Sequence, residues 1–301
     1  MELTRRDLER HLESLLALRV RWVVFSGGEP QLAHDFGALG NLFQQRGIRV
    51  TLLTAGLLLE THAAEVLESV DDVIVSLDGP AEIHDRIRGV PRAFERLARG
   101  VGALRDIRPS IGIAGRCTVQ KLNAGCLRET VRAARQIGLD SISFLAADLT
   151  SEAFNRPGSW TPEQQSGIAL NAEEVCRLEQ EIESLIRQHA DEITAGYIVE
   201  TPEKLRRIAR HFRAYLGQAP PRAPCCNAPW VSAVVEADGT VRPCFFHRAL
   251  GNIHENALAA ILNGEDAINF RRSLEVATNP VCQRCVCSLY LKPEAQSTAW
   301  A

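Results

Sequence analysis

The sequence predicts an α/β fold built on a parallel sheet, and three observations carry that prediction. Through residues 1–147, short apolar runs alternate with amphipathic stretches of helical period. The runs are short, most of them four to six residues, which suits a barrel or part of one. The polar and glycine-rich residues gather where those runs end, the position at which parallel barrels collect their chemistry.

The elements follow in order. Leu8, Leu12, Leu15 and Leu16 repeat at helical spacing behind Thr4 and Asp7, which resemble an N-terminal capping box. Trp22 to Phe25 reads as a short buried strand, and Phe36, Leu39, Leu42 and Phe43 as the stripe of the next helix. Val50 to Thr54 is a strand, and a helix follows near Thr61 to Ser69. Val73 to Leu77 is a strand, and Phe94, Leu97, Val101 and Leu104 mark a helix. Strand 111–119, helix 124–137 and strand 140–145 complete five strands with right-handed crossovers. Residues 148–220 read as helical, with helices near 172–189 and 202–216, a loop at 155–159 and a proline-rich linker from Gln218 to Pro224. Beyond it, two apolar runs flank Asp238-Gly239, a hairpin signal. Three regions are therefore expected: 1–147, 148–220 and 221–301.

Composition sets the outer limits. Hydrophobic residues make up 46% and charged residues 24% of the 301, as in an ordinary globular protein. A net charge of -3 gives no support to a nucleic-acid partner, although a local basic groove stays open. No signal peptide and no membrane-length apolar stretch are visible, so the expected location is cytoplasmic. Of nine cysteines, Cys117, Cys126 and Cys176 are scattered, while Cys225, Cys226, Cys244, Cys282, Cys285 and Cys287 crowd the last quarter. In a reducing cytoplasm such crowding points to metal ligation rather than disulfides.

Two constellations carry chemistry. Gly27 and Gly28 follow a strand and precede a helix, where glycine lets the chain turn and lets a ligand approach the main chain. Glu29 offers a carboxylate to a cationic group such as an amino acid's ammonium, and Pro30 stiffens the exit. The same pattern also serves a plain strand-to-helix turn, and alone it does not choose between the two. In the second, two residues separate Cys282 from Cys285, so both thiolates can reach one metal. The hairpin ending at Cys244 can bring a third and Cys226 a fourth. Four thiolates satisfy either zinc or a [4Fe–4S] cluster.

The segment Val23-Val24-Phe25-Ser26-Gly27-Gly28-Glu29-Pro30 resembles the strand and loop of radical S-adenosylmethionine enzymes that bind the methionyl amino group. Val75 to Pro80, Ile83 to Gly89 and Ala93 to Glu95 are similar to the fourth barrel strand and following loop of peptide-modifying members. The resemblance implies cofactor contacts from Gly27, Gly28, Glu29, Pro30, Thr54, Ser76, Asp78 and Arg116. Thr54-Ala55-Gly56 stands where the family often has Thr-Asn-Gly, so an amide is missing. For Arg116, a solvated charge at a strand end is the competing role.

Cys226 to Pro229, the Asp238-to-Cys244 hairpin, Leu250 to Ile253 and Pro280 to Cys285 together resemble the auxiliary-cluster extension called SPASM, or its shorter single-cluster form, twitch. This implies a [4Fe–4S] cluster on Cys226, Cys244, Cys282 and Cys285. Cys225 is the alternative ligand to Cys226, Cys287 is either an extra ligand or a core thiol, and His247 is a weaker ligand candidate read first as a polar hairpin residue.

The family's catalytic cluster sits on three cysteines separated by three and then two residues, and no such triplet occurs in this sequence. The first barrel strand is missing as well. The expected architecture is therefore a partial (β/α)6 TIM-like barrel lacking its first strand, followed by a small Cys-rich hairpin-plus-helix domain. An unpaired strand edge is costly, at about 1–3 kcal/mol per buried unpaired group against a stability of about 5–15 kcal/mol, so a shortened chain or a late start is favoured over a degenerate paralogue.

The expected function is that of a radical S-adenosylmethionine oxidoreductase or peptide-modifying enzyme without its catalytic-cluster segment, and therefore inactive as it stands. A peptide or small-molecule substrate and an electron donor such as a flavodoxin or ferredoxin are the expected partners, with no nucleic acid and no membrane. The alternatives are a non-catalytic S-adenosylmethionine- or peptide-binding scaffold and a zinc-stapled structural protein.

Overall fold

The computed structural model describes residues 2–153 and 160–292. The expected loop at 155–159 lies outside the described residues. Five strands, β1 (Trp22–Phe25), β2 (Arg49–Thr54), β3 (Asp72–Ser76), β4 (Gly112–Val119) and β5 (Ser141–Ala146), form one sheet in sequence order. Every neighbouring pair is parallel. The alternation of apolar runs and helical stripes is thus realised as a singly wound parallel sheet.

Through this half run α1 (Arg5–Glu9), α2 (Leu12–Ala17), α3 (Phe36–Gln44), α4 (Ala63–Ser69), α5 (Ala81–Arg88), α6 (Ala93–Ile107) and α7 (Leu127–Gln136). Thr4 and Asp7 form the expected reciprocal capping box. The leucine stripe behind them does not make one helix, however. It breaks at Arg10 and His11, and His11 turns inward to accept the Leu258 amide at 3.3 Å. A tertiary contact overrides the local period there.

The core lies between the sheet and the layer of α3, α4, α6 and α7. Strand β4 shows why: Ile113, Cys117 and Val119 are buried against the helices, whereas Gly112 and Arg116 on the other face are exposed. Phe25 meets Phe36 edge-on and Phe43 at a tilt, with ring centroids 5.8 and 6.0 Å apart. Gly40 is required by a close approach of α3 to α4, because a Cβ there would stand 2.1 Å from the Ser69 carbonyl oxygen.

The second region holds α8 (Pro162–Ile168), α9 (Ala172–Gln188), α10 (Ala190–Thr194) and α11 (Pro202–Tyr215). Asn171 caps α9 in a reciprocal box with Glu174, and Thr201 caps α11. Between α10 and α11 the chain touches the sheet: Ile198 bridges Ile142 in parallel, and the Glu200 carboxylate accepts the Phe144 amide at 2.7 Å. Arg128 on α7 pairs with the buried Glu181 of α9 at 2.8 Å.

The third region contains α12 (Ala228–Val231), β6 (Val234–Val235), β7 (Thr240–Arg242), β8 (Gly251–Asn252), α13 (Leu258–Asn263), α14 (Glu265–Ser273) and α15 (Pro280–Arg284). The Asp238-Gly239 pair turns β6 into β7 as expected, with the Asp238 carboxylate accepting the Thr240 amide at 2.9 Å. Among the described residues no helix is long and apolar enough to cross a membrane.

Candidate functional site

The first constellation sits at the end of β1. Gly27 takes a φ of +144°, in the range that favours glycine, and a Cβ on Gly27 or Gly28 would meet nothing within 4 Å. The two glycines thus border open space rather than packed side chains. Glu29 is fixed beside them. Its carboxylate accepts the Thr54 hydroxyl at 2.8 Å and the Ala55 amide at 3.0 Å, and the Thr54 oxygen in turn accepts the Gly56 amide at 3.0 Å. Pro30 opens the short turn Pro30–Leu32. Thr54-Ala55-Gly56 therefore orients the acid by one hydroxyl and one amide, and the Gly56 amide holds that hydroxyl in place.

Ser76, Arg116 and Ser143 line up across β3, β4 and β5 in register. The Arg116 Nε reaches the Ser143 hydroxyl at 3.4 Å. Asp78 is placed elsewhere. It is 1% exposed, pairs with Arg88 at 2.6 Å and accepts the Thr118 amide at 3.2 Å. Its main-chain N–H donates to the ring of the buried His84. In this arrangement that carboxylate braces the β3–α5 turn. Sequence position could not show this, because Arg88 lies ten residues further on.

The thiols of the last quarter share one neighbourhood. Asn279 caps α15 by accepting the Val281 and Cys282 amides at 2.9 and 3.1 Å, which sets the Cys282-to-Cys285 turn. Asn227 clamps the far end, donating to the Leu291 carbonyl and accepting the Leu291 amide, and so holds Cys226 beside residues 289–291. Cys226, Cys244 and Cys282 lie close enough for their charges to interact, as do Cys244 and Cys285. Burial pushes the Cys282 thiol up to about 11, and burial likewise raises Cys244 and Cys285. Cys225 is exposed. Cys287 is near enough to interact with Cys285 and Cys244 and also with Arg116 and Asp148.

As the side chains stand, no three His, Cys, Asp or Glu groups among the described residues are arranged to hold a metal ion. The donor chemistry fits a thiolate-bound cluster, whereas the arrangement of the sulfurs is not that of a closed ligand shell. His247, expected as a polar hairpin residue, is instead buried. Its Nε2 lies 3.4 Å from the Cys282 sulfur and its ring packs against Phe270 at 4.9 Å.

Between β5, α11 and the last cysteines lies a cavity of about 600 Å³. Arg116, Ser143, Glu200, Arg207, His211 and Cys287 are among the residues on its wall. Burial raises the Glu200 carboxyl to about 7 against the pull of Arg116 and Lys204, and burial holds the His211 imidazole down at about 4. The Arg207 guanidinium donates to the Cys285 carbonyl. None of Glu200, Arg207 and His211 carries a motif. The one signal in the sequence was their position in the poorly patterned stretch that leads into the linker.

Comparisons with known proteins agree with this layout. The model of the radical S-adenosylmethionine superfamily matches residues 1–134, and that of the SPASM iron–sulfur cluster-binding domain matches residues 225–286. An AdoMet-dependent heme synthase of Methanosarcina barkeri is 33% identical over 140 residues, covering 46% of this chain and 40% of the relative. The mycofactocin maturase MftC of Mycobacterium ulcerans is 33% identical over 106 residues, covering 32% of this chain and 29% of the relative. The chain thus spans well under two thirds of these relatives. Among solved structures, anSMEcpe with bound AdoMet has the same fold at a TM-score of 0.62 and 20% identity, over 94% of this chain and 78% of that one.

Proposed function

We propose that this chain, which belongs to the radical S-adenosylmethionine superfamily and carries a SPASM iron–sulfur domain, binds S-adenosylmethionine at the Gly27–Glu29 loop and one auxiliary cluster at its C-terminal thiols. The observation that carries this reading is the glycine loop. Two glycines open onto free space beside a carboxylate that Thr54 and Ala55 hold in place. Glu29 would accept from the methionyl ammonium, Ser76 and Arg116 would meet its polar groups along the strand ends, and Cys226, Cys244, Cys282 and Cys285 would hold the cluster. In the superfamily the bound cofactors supply an electron and a 5′-deoxyadenosyl radical that removes a hydrogen from the substrate. This chain's own residues bind, orient and enclose.

The sequence contains no cysteine triplet spaced for the catalytic cluster, so binding without cleavage is the reading for these 301 residues. A peptide or small-molecule substrate and a flavodoxin- or ferredoxin-like donor are proposed for the active form. Solved anSMEcpe is recorded with AdoMet and a Kp18Cys peptide, and the curated relatives include heme synthases, so the relatives leave both substrate classes in play.

Anaerobic reconstitution with iron and sulfide tests the cluster, and equilibrium dialysis tests the cofactor. About four irons per chain are expected, lost with Cys226→Ser or Cys282→Ser. S-adenosylmethionine should bind, and Glu29→Ala should weaken it at least tenfold. Tight zinc with no cluster absorbance, or cofactor binding indifferent to Glu29→Ala, would overturn the reading.

A further inference from the structure

The cavity between β5, α11 and the C-terminal cysteines has a charge that the rest of the chain does not share. Six of its lining residues, Arg116, Lys204, Arg207, Arg210, Arg222 and Arg284, carry a positive charge, and Glu200 is the one carboxylate among them. The whole chain carries -3. On the helices and the hairpin around it, Arg128, Arg206, Arg213 and Arg242 each hold a glutamate. None of the six cavity cations has an ion pair within 4.0 Å among the described residues. Such a concentration of unneutralised guanidinium groups is self-repelling in the empty protein and favours an anion.

The remaining wall indicates what kind of anion. Phe144, Leu145, Val199, Ile208, Tyr215 and Val286 contribute apolar surface to the same cavity. At about 600 Å³ the space has the size of a small-molecule pocket. A fully polar anion such as phosphate would leave that surface unused. Several cations around an apolar wall match a ligand with a bulky apolar body and acidic groups at its periphery, because planar guanidinium groups bind carboxylates through two parallel hydrogen bonds. Glu200, held by the Phe144 amide, faces Arg116 and Lys204, and a single carboxylate offsets at most one of the six positive charges. Arg116, proposed above to meet the cofactor, also stands on this wall, where the cofactor site and the cavity adjoin.

We infer that the cavity is the binding site of a small molecule with an apolar body and several peripheral carboxylates. The inference rests on the proposed function for the idea that a substrate occupies this side of the sheet, and on the cavity itself for the chemistry.

Binding of a tetracarboxylate porphyrin without its metal to the full chain tests it, followed by the porphyrin's absorbance and by quenching of its fluorescence. The tetramethyl ester of the same porphyrin keeps the body and removes the charges. The acid should bind at least tenfold more tightly than the ester and weaken as salt rises. Lys204→Gln with Arg210→Gln, two exposed positions on the exposed side of α11, should weaken it about tenfold without moving the unfolding midpoint. Equal binding of acid and ester would overturn the inference, as would insensitivity to the double substitution. Displacement by inorganic phosphate at equal concentration would reduce the site to a general anion site, and stronger binding of an acidic peptide would assign it to a peptide; either result overturns it. No iron or S-adenosylmethionine is needed, so failure here leaves the cofactor proposal standing, and failure of cofactor binding leaves this measurement intact.

Discussion

The two edges of the parallel sheet are finished in opposite ways. At β5 the chain covers its own edge: Ile198 bridges Ile142, Glu200 accepts the Phe144 amide, and α11 lies alongside with Phe212 fully buried. At β1 no strand pairs with the outer side among the described residues. Trp22 and Val24 are 48% and 42% exposed there, although Trp22 ties its indole N–H to the Thr51 hydroxyl at 2.7 Å. The covered edge borders the cationic cavity and the open edge runs into the glycine loop. Stability is therefore expected to concentrate at β5, and accessibility at β1.

The largest effect should come from the covered edge. Phe212→Ala removes a fully buried ring from α11 and should cost about 3–5 kcal/mol, read from the urea midpoint. A cost below about 1 kcal/mol would mean that α11 does not hold this edge.

Next comes the acid under it. Burial raises the folded Glu200 carboxyl from 4.5 to about 7. Between those values the folded state holds a proton that the unfolded chain has released, so stability falls as pH rises from 4.5 to 7 and is level above. Glu200→Gln, which still accepts the Phe144 amide, should remove that slope and gain roughly 2–3 kcal/mol over the wild type at pH 8. Parallel pH profiles for the two proteins would break the assignment.

At the open edge, Gly27→Ala forces an L side chain to a φ of +144° and should cost about 1–3 kcal/mol, with S-adenosylmethionine binding weakened by more than the stability loss explains. Calorimetry on both proteins separates the two. The smallest effect is expected for Val24→Lys, within about 0.5 kcal/mol of the wild type. Light scattering should nevertheless show less self-association, because a charge on an exposed strand edge discourages pairing with a second copy. A cost as large as that of Phe212→Ala would erase the contrast between the edges.

Much of the fold was readable beforehand because it rests on local periodicity. Each strand from Trp22 to Ala146 lies where its apolar run predicted, and the hairpin turns at Asp238-Gly239. The helix expected to continue through Leu16 broke instead, since His11 is drawn to Leu258, far away in sequence. The glycine loop was legible because glycine, acid and proline stand side by side. The pairing of Asp78 with Arg88 was not legible, because that partner is set by the turn of α5 and not by the motif around Asp78. His247 was undervalued because burial beside Phe270 depends on α14 folding back onto the hairpin.

The sequence by itself determined the order of strands and helices, the glycine–acid loop and the supply of thiols near the C-terminus, since all three are written in neighbouring residues and their spacing. Only the tertiary structure decided which charges stay unpaired. Arg116 on β4 and Lys204 and Arg207 on α11 are far apart in the chain and become one cationic wall when α11 lies against β5. The physical reason is that a field adds over distance in space, and the distance between side chains is set by packing rather than by their separation along the chain.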